Sequence, residues 1–254
     1  MTIANRREKL IEIIREQGFS TLPQLCETLQ VSESTVRRDL NLLEADGAAK
    51  RTHGGVVYTG GFPKLPHFDL RHEQNLSRKK AIAQAAAQLL KPGNTVLLDG
   101  GSTSYELARL LVDQPMQVIT NSLPVANLFV RSNAAELIFV GGVIQSKTGV
   151  AVGPHAANML SGIRCQHAFI SAAGINFEGV FNNNLLLVEI EQAMIECADT
   201  ATLIADSSKF GQTSIGLVCS LNRLHRAIVD TAIEKQWIRT LQDCGVEVVT
   251  TKES

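Results

Sequence analysis

The chain has 254 residues, 44% hydrophobic and 19% charged, with a formal net charge of −1. That length suits one small and one medium domain, and the composition is that of a soluble globular protein with no bias toward disorder. No apolar run approaches the roughly 20 residues that span a bilayer, and MTIANRREKL has no signal-peptide core. Five scattered cysteines, odd in number and without a CxxC, argue for reduced thiols and against a disulfide or zinc framework. A cytoplasmic protein is expected.

Residues 5–17 read as a first helix with Leu10, Ile13 and Ile14 on or beside one face and Gly18 as its stop. Thr21-Leu-Pro-Gln24 is a T-x-x-Q capping box, with Pro in the first turn where a missing N–H costs nothing. Leu22, Leu25, Cys26 and Leu29 make the apolar face of a second helix. Ser32 is a good N-cap for a third, whose stripe of Val36, Leu40 and Leu43 recurs at i, i+4 and i+7 before Gly47. The opposite face carries Ser34, Arg38 and Asn41, flanked by Thr35 and Arg37. A helix entering a DNA major groove needs this division: an apolar back holds it to its own domain, and polar side chains near its N-terminus reach base edges and phosphates. Lys50, Arg51 and His53 then fall on a short segment turned by Gly54-Gly55, as a β-wing would be.

Net charge argues the other way. Residues 1–60 hold eight Lys/Arg and eight Asp/Glu, whereas DNA-binding domains are usually basic. Position offsets the count, because Arg6, Arg7, Arg37, Arg38, Lys50 and Arg51 fall on the start of the first helix, the third helix and the wing. A local basic face can meet phosphates even when the domain sum is zero. Modest affinity per domain is expected, and hence a homodimer or homotetramer.

TVRRDL at Thr35–Leu40 followed by RTHGG at Arg51–Gly55 resembles the N-terminal winged helix-turn-helix of the DeoR family of bacterial sugar-responsive transcription regulators. The resemblance implies a double-stranded DNA operator as partner and a larger C-terminal domain that senses a phosphorylated sugar. The role implied is a repressor, less often an activator.

From Tyr58 to about Asn75 two Pro, two Gly and little periodicity give linker composition. His67 and His72 are too widely spaced for a metal pair on one helical face, so no metal is expected. From Ser77 onward helical and strand-like segments alternate, and Thr95–Asp99 has the continuous apolar character of a strand buried on both faces. The expectation is an α/β, Rossmann-like, mostly parallel sheet with helices on both faces. The domains are read as 1–57 for DNA, 58–76 as linker and 77–254 as sensor.

In such sheets ligands sit outside the carboxyl ends of the strands. Those ends carry Asp99-Gly-Gly-Ser-Thr-Ser104, Thr120-Asn121-Ser122, Gly141-Gly142, Ala172-Ala-Gly174 and Asp206-Ser-Ser-Lys209. Gly101 lets backbone approach a ligand, and the hydroxyls of Ser102, Thr103 and Ser104 with the free N–H groups of a helix start suit a phosphate. Neither a P-loop nor G-x-G-x-x-G is present, so no ATP, NAD or other cofactor is expected. This half also resembles the DeoR sensor, through Asp99, Gly101–Ser104, Thr120–Ser122, Gly141-Gly142 and DSSKF at Asp206–Phe210, with Lys79–Ala83 opening it. The implied arrangement is a sugar phosphate on the Ser102–Ser104 loop with Asp99, Asn121 and Lys209 near the sugar or phosphate. Two positions depart from the family pattern: Gly100, often Ala and expected to change little, and Glu191, where many members have Lys. Glu191 either lines the site or faces water, and Asn182–Asn184 before it is unusual. The competing function is a sugar-phosphate isomerase or deaminase with a DNA-binding appendage. Acid–base groups at Asp99, Asp206 and Lys209 would allow it, but such groups serve binding equally well, and the expectation is a regulator, not an enzyme.

Overall fold

The computed structural model describes residues 3–17, 19–45, 49–52, 55–58 and 68–252. The chain divides into two compact units, residues 1–74 and 75–254.

The first unit begins with α1 (Ile3–Gln17) and β1 (Phe19–Ser20), followed by α2 (Leu22–Leu29) and α3 (Glu33–Ala45). Strands β2 (Ala49–Thr52) and β3 (Gly55–Tyr58) complete an antiparallel sheet of order β1-β3-β2. The capping box forms as expected: Thr21 Oγ1 accepts from Gln24 N at 3.5 Å, and Gln24 Oε1 accepts from Thr21 N at 2.9 Å. Ser32 lies just before α3, and its carbonyl takes the N–H groups of Thr35 and Val36. Its hydroxyl bonds the hydroxyls of Ser34 and Thr35, not the backbone N–H expected of it. Val36, Leu40 and Leu43 are buried with Leu10, Ile14, Leu25, Leu29 and Val56 in one core, so three helices and the sheet bury a common set of apolar side chains. The expected stop at Gly47 and the wing residue His53 lie outside the described residues. A helix not anticipated, α4 (Phe68–Glu73), stands within the expected linker, its Phe68 ring stacked on His72 at 5.9 Å.

The second unit opens with α5 (Leu76–Ala87), β4 (Thr95–Leu98), α6 (Ser102–Leu111), β5 (Gln117–Thr120), α7 (Leu123–Phe129) and β6 (Glu136–Phe139). A hairpin of β7 (Val143–Gln145) and β8 (Val150–Val152) follows, then α8 (Pro154–Ser161) and β9 (Cys165–Ile170). Next come β10 (Gly174–Ile175), β11 (Val180–Asn182), α9 (Leu185–Glu196) and β12 (Ala198–Ile204). The chain continues through β13 (Gly216–Cys219), β14 (Arg226–Asp230), α10 (Lys235–Asp243) and β15 (Glu247–Thr251). Seven strands form one sheet of order β15-β14-β12-β9-β4-β5-β6, with every pairing parallel. Helices flank it, and Ile82, Val96, Leu98, Leu107, Phe129, Phe169 and Ile228 share its main core. The α/β, Rossmann-like architecture expected from the alternation is present. Two small antiparallel sheets, β7-β8 and β10-β11-β13, are additions to it.

This strand order contains a reversal. The chain lays β5 and β6 on one side of β4, then returns to place β9, β12, β14 and β15 on the other. The crevice between the carboxyl ends of β4 and β9 is the switch point at which ligands settle in open α/β sheets.

Candidate DNA-binding face and effector site

On α3, Ser34, Arg37, Arg38 and Asn41 are exposed and Thr35 is half-buried, while β2 offers exposed Lys50 and half-buried Arg51. The cations are not equivalent. Arg37 Nη2 lies 2.6 Å from Glu33 Oε1, an exposed i,i+4 pair of the kind that contributes only a few tenths of a kcal/mol. Arg51 donates from Nη1 to Asn41 Oδ1, and its backbone N–H donates to Glu44 Oε1 at 3.1 Å, so the β2 side chain is joined to α3. Arg38 and Lys50 form no ion pair among the described residues. Arg6 and Arg7, read from sequence as part of the basic face, are used otherwise. Their Nε atoms reach the two oxygens of Asp39 at 2.6 and 2.9 Å, and Asp39 is buried, so both cations are committed to an internal ion pair joining α1 to α3.

In the second unit the site begins with Asp99, which follows β4 and is buried. Its Oδ1 accepts from Gly101 N at 2.9 Å and from Ser104 Oγ, and its Oδ2 accepts from Ser171 N and Oγ, both at 2.6 Å. One carboxylate therefore ties the end of β4 to the end of β9 across the switch point and fixes the loop that starts α6. Asp99 and Ser104 are spent on this scaffold. Ser171, which sequence reasoning did not single out, completes it, and no sequence motif marked it because its partner is 72 residues away. Gly101 is required here, since a Cβ would come within 2.5 Å of Ser171 Cβ and also meet Ser171 Oγ. Ser102 and Thr103 are buried at the first turn of α6, and among the described residues their hydroxyls make no hydrogen bond.

Asn121 follows β5, its Nδ2 donating to Ala151 O at 2.8 Å and its buried Oδ1 without a hydrogen-bond partner among the described residues. Ser122 caps α7 through Val125 N. Gly141 and Gly142 lead into the β7–β8 hairpin, which folds back over the end of β5: Val150 bridges Ser122, and Ala151 N donates to Asn121 O. A Cβ on Gly142 would stand 2.7 Å from Val152 O. Gly174 allows an equally close approach of Gln212 O. Both positions are explained by backbone packing. Gly100 is less neutral than expected, because a Cβ there would run into the Val150 side chain of the same hairpin.

Asp206 follows β12 and caps the turn Ser207–Lys209 by accepting from Ser208 N at 3.1 Å, with Lys209 half-buried in that turn. Strands lie about 4.8 Å apart, so the β12 end stands about 10 Å from β4, and β6 to β12 spans about 19 Å. One phosphorylated sugar cannot bridge that full edge. The ends of β5, β4, β9 and β12 are consecutive along that edge, and Gly141-Gly142 follows β6, one strand further out.

Glu191 does not face water. It is buried on α9, and Asn182 Nδ2 donates to its Oε1 at 2.6 Å. Burial, with Glu191 adding to it, pushes the nearby Cys219 thiol up to about 12, against a smaller opposing pull from Arg223.

A three-helix unit with a β-wing, followed by a Rossmann-like unit whose polar loops gather at its switch point, defines a DNA-binding regulator coupled to a small-molecule sensor. Residues 6–60 match the DeoR-like helix-turn-helix domain and residues 74–231 match the DeoR C terminal sensor domain. The chain belongs to the DeoR family. It is a ligand-controlled, DNA-binding transcription regulator, in a family whose typical member is a repressor answering to a phosphorylated sugar. An uncharacterized HTH-type transcriptional regulator, YulB of Bacillus subtilis, is 32% identical over 98% of this chain and 96% of its own. The HTH-type transcriptional regulator UlaR of Escherichia coli is 30% identical over 98% of this chain and 99% of its own. Among solved structures, ribose 5-phosphate isomerase A of Methanocaldococcus jannaschii matches with a TM-score of 0.40 at 18% identity, covering 54% of this chain and 55% of that one. The translation initiation factor eIF-2B of Pyrococcus horikoshii matches with a TM-score of 0.41 at 16% identity, covering 84% and 72%. No described helix is long and apolar enough to cross a membrane.

Proposed function

We propose that a sugar phosphate binds at the carboxyl ends of β4, β5, β9 and β12 and sets the affinity of the N-terminal domain for an operator. The observation that carries this reading is the Asp99 carboxylate. It joins the strand ends on both sides of the switch point and leaves the buried Ser102 and Thr103 hydroxyls at a helix start, where N–H groups and dipole favour an anion. The phosphate rests on those groups, the free Oδ1 of Asn121 accepts from a sugar hydroxyl, and Lys209 contributes positive charge. Asp99, Ser104, Ser122 and Asp206 shape the site, and Gly101 lets Ser171 close against the loop that starts α6. Catalysis is not part of this reading: the two carboxylates best placed for acid–base work, Asp99 and Asp206, already accept hydrogen bonds from their own loops.

At the other end, Ser34, Thr35, Arg37, Arg38 and Asn41 read the major groove, and Lys50, Arg51 and His53 meet phosphates. Residues 1–57 form this module, 58–76 the link and 77–254 the sensor, acting in the cytoplasm as a homodimer or homotetramer, since one such module gives little specificity. A thermal-shift screen of pentose and hexose phosphates tests the sensor half. A ligand at 100 times its Kd should add about 2.7 kcal/mol of stability, and it should change operator affinity in a binding titration. A ligand that is turned over without altering operator affinity would overturn the reading in favour of an enzyme.

A further inference from the structure

The boundary between the two units falls at the Gln74–Asn75 peptide bond, and Asn75 has an unusual backbone. Its φ of 50° and ψ of 35° are left-handed, a conformation that Asn tolerates better than other non-glycine residues but that needs holding in place. An Asn immediately before a helix ordinarily caps that helix with its side chain. This one does not. Its Nδ2 instead donates to Asp206 Oδ1 at 3.1 Å and reaches Ser208 Oγ at 3.4 Å, 131 and 133 residues away. One turn further on, Arg78 Nη1 donates to Ser207 Oγ at 3.1 Å, and Arg78 Nε lies 4.0 Å from Asp230 Oδ1. Asp230 in turn accepts from Ser207 N at 2.6 Å. The loop that follows β12 and the first turn of α5 are thus one hydrogen-bonded unit.

We infer that Asn75 and Arg78 are positioning residues that carry the state of the Asp206–Lys209 loop to the junction between the two units. This rests on the site proposed above, in which Lys209 meets the ligand. A ligand that draws the loop toward the β4–β9 crevice changes where Asp206 Oδ1 and Ser207 Oγ sit. Asn75 then either keeps or loses the bond that holds its left-handed backbone, and relaxation to an ordinary φ redirects the chain on its N-terminal side. Arg78 keeps the rest of the first turn of α5 in register with the loop. A modest shift at the site becomes a discrete choice at one residue, which is the kind of bistable element through which coupling is transmitted.

The test compares the full-length chain with Asn75→Ala/Arg78→Gln, and separately with Ser207→Ala, which removes only the hydroxyl that Arg78 reaches. The probe is whichever of ribose 5-phosphate, fructose 6-phosphate, glucose 6-phosphate and glucosamine 6-phosphate raises the wild-type melting temperature most. In the wild type it should change operator affinity by a typical allosteric factor of about 5–150-fold. In the double variant, sugar-phosphate affinity and effector-free operator affinity should stay within about twofold of wild type while that factor falls toward 1; Ser207→Ala should lower it part of the way, and Arg78→Lys alone should retain more of it than Arg78→Gln. A factor unchanged in the double variant overturns the inference and leaves the proposed site standing. Loss of sugar-phosphate binding in the variant overturns it too, since the residues would then belong to the site. No response of the wild type to any of the four removes the proposed site, and this inference with it. A ligand-free arm reads the same bonds by hydrogen exchange: amides at 207–209 should exchange faster in the double variant, and unaltered exchange there overturns the link.

Discussion

Arg6 and Asp39 stand 33 residues apart in the chain with Nε and Oδ2 2.6 Å apart, and Arg7 takes the other oxygen of the same carboxylate at 2.9 Å. Asp39 lies between Arg38 and Leu40 on α3, so its side chain holds α3 to α1. A buried carboxylate served by two guanidinium groups that are themselves mostly covered is costly to break, because the partners lose a charge they were built around. Asp39→Ala should therefore cost about 3–5 kcal/mol of the stability of the N-terminal unit. Denaturant unfolding followed by circular dichroism measures this, and operator affinity should fall with it. Arg6→Ala should cost less, since Arg7 remains on the carboxylate.

Arg38 and Arg51 are expected to separate two kinds of DNA contact. Arg38 carries no ion pair among the described residues, and Arg38→Ala should cost about 1–3 kcal/mol of operator binding if it makes a bidentate base contact, with discrimination lost at one position. Arg51 is joined to Asn41, so its guanidinium is held against α3. Arg51→Ala should flatten the log K against log[salt] slope by about 0.9 if it neutralises one phosphate, and salt titrations of both variants check the assignment. An unaltered slope would mean that β2 faces away from the duplex.

The sequence is legible where local physics decides the outcome. The Thr21–Gln24 box, the Val36–Leu40–Leu43 stripe and the apolar run after Asn94 each depend on neighbours within a turn or a strand. Arg6 and Arg7 show the limit. From sequence they are two cations at a helix start, indistinguishable from phosphate contacts, and only the fold brings Asp39 to them. The same holds for Asp99: its position after a strand marks it as a site residue, but Ser171, whose bonds to it tie β4 to β9, is 72 residues away. Glu191 is ambiguous from sequence between site and solvent because its helix is apolar on several sides, and its burial beside Asn182 rules out solvent. The β7–β8 hairpin shows in the sequence only as a Gly-Gly strand end, since three-residue strands carry too little periodicity.

Cys219 gives a pH dependence whose sign is fixed. Burial, reinforced by Glu191, raises its thiol from 9.0 to about 12 in the folded protein, outweighing Arg223. A thiol protonated in the fold but free to ionise when unfolded contributes stability that is intact below pH 9 and is lost as pH rises toward 12. Cys219→Ser should flatten the decline in melting temperature across that range. At pH 8 the wild-type Cys219 should resist iodoacetamide while the unfolded chain reacts, which peptide mass spectrometry reads directly.

The strongest demand on the sensor assignment is that binding and signalling be removable without touching DNA recognition. Thr103 and Lys209 suit that purpose. Thr103 is buried at the start of α6 with no side-chain hydrogen bond among the described residues, and Lys209 ends the turn after β12, so neither supports the Asp99–Ser171 tie. Removing both should leave the fold and effector-free operator affinity intact while weakening sugar-phosphate binding. The chain contains one tryptophan, Trp237, whose ring lies 5.7 Å from that of Phe210, the residue after Lys209. Its fluorescence should therefore report occupancy in the wild type and stay flat in Thr103→Ala/Lys209→Ala. Linkage requires the reverse effect as well: operator DNA should change wild-type sugar-phosphate affinity by the same factor that the sugar phosphate changes operator affinity. For a repressor, the double variant should stay on its operator at sugar-phosphate concentrations that release the wild type. If it released DNA normally, the effector would be bound away from α6 and the β12 turn, and the switch-point site would be excluded.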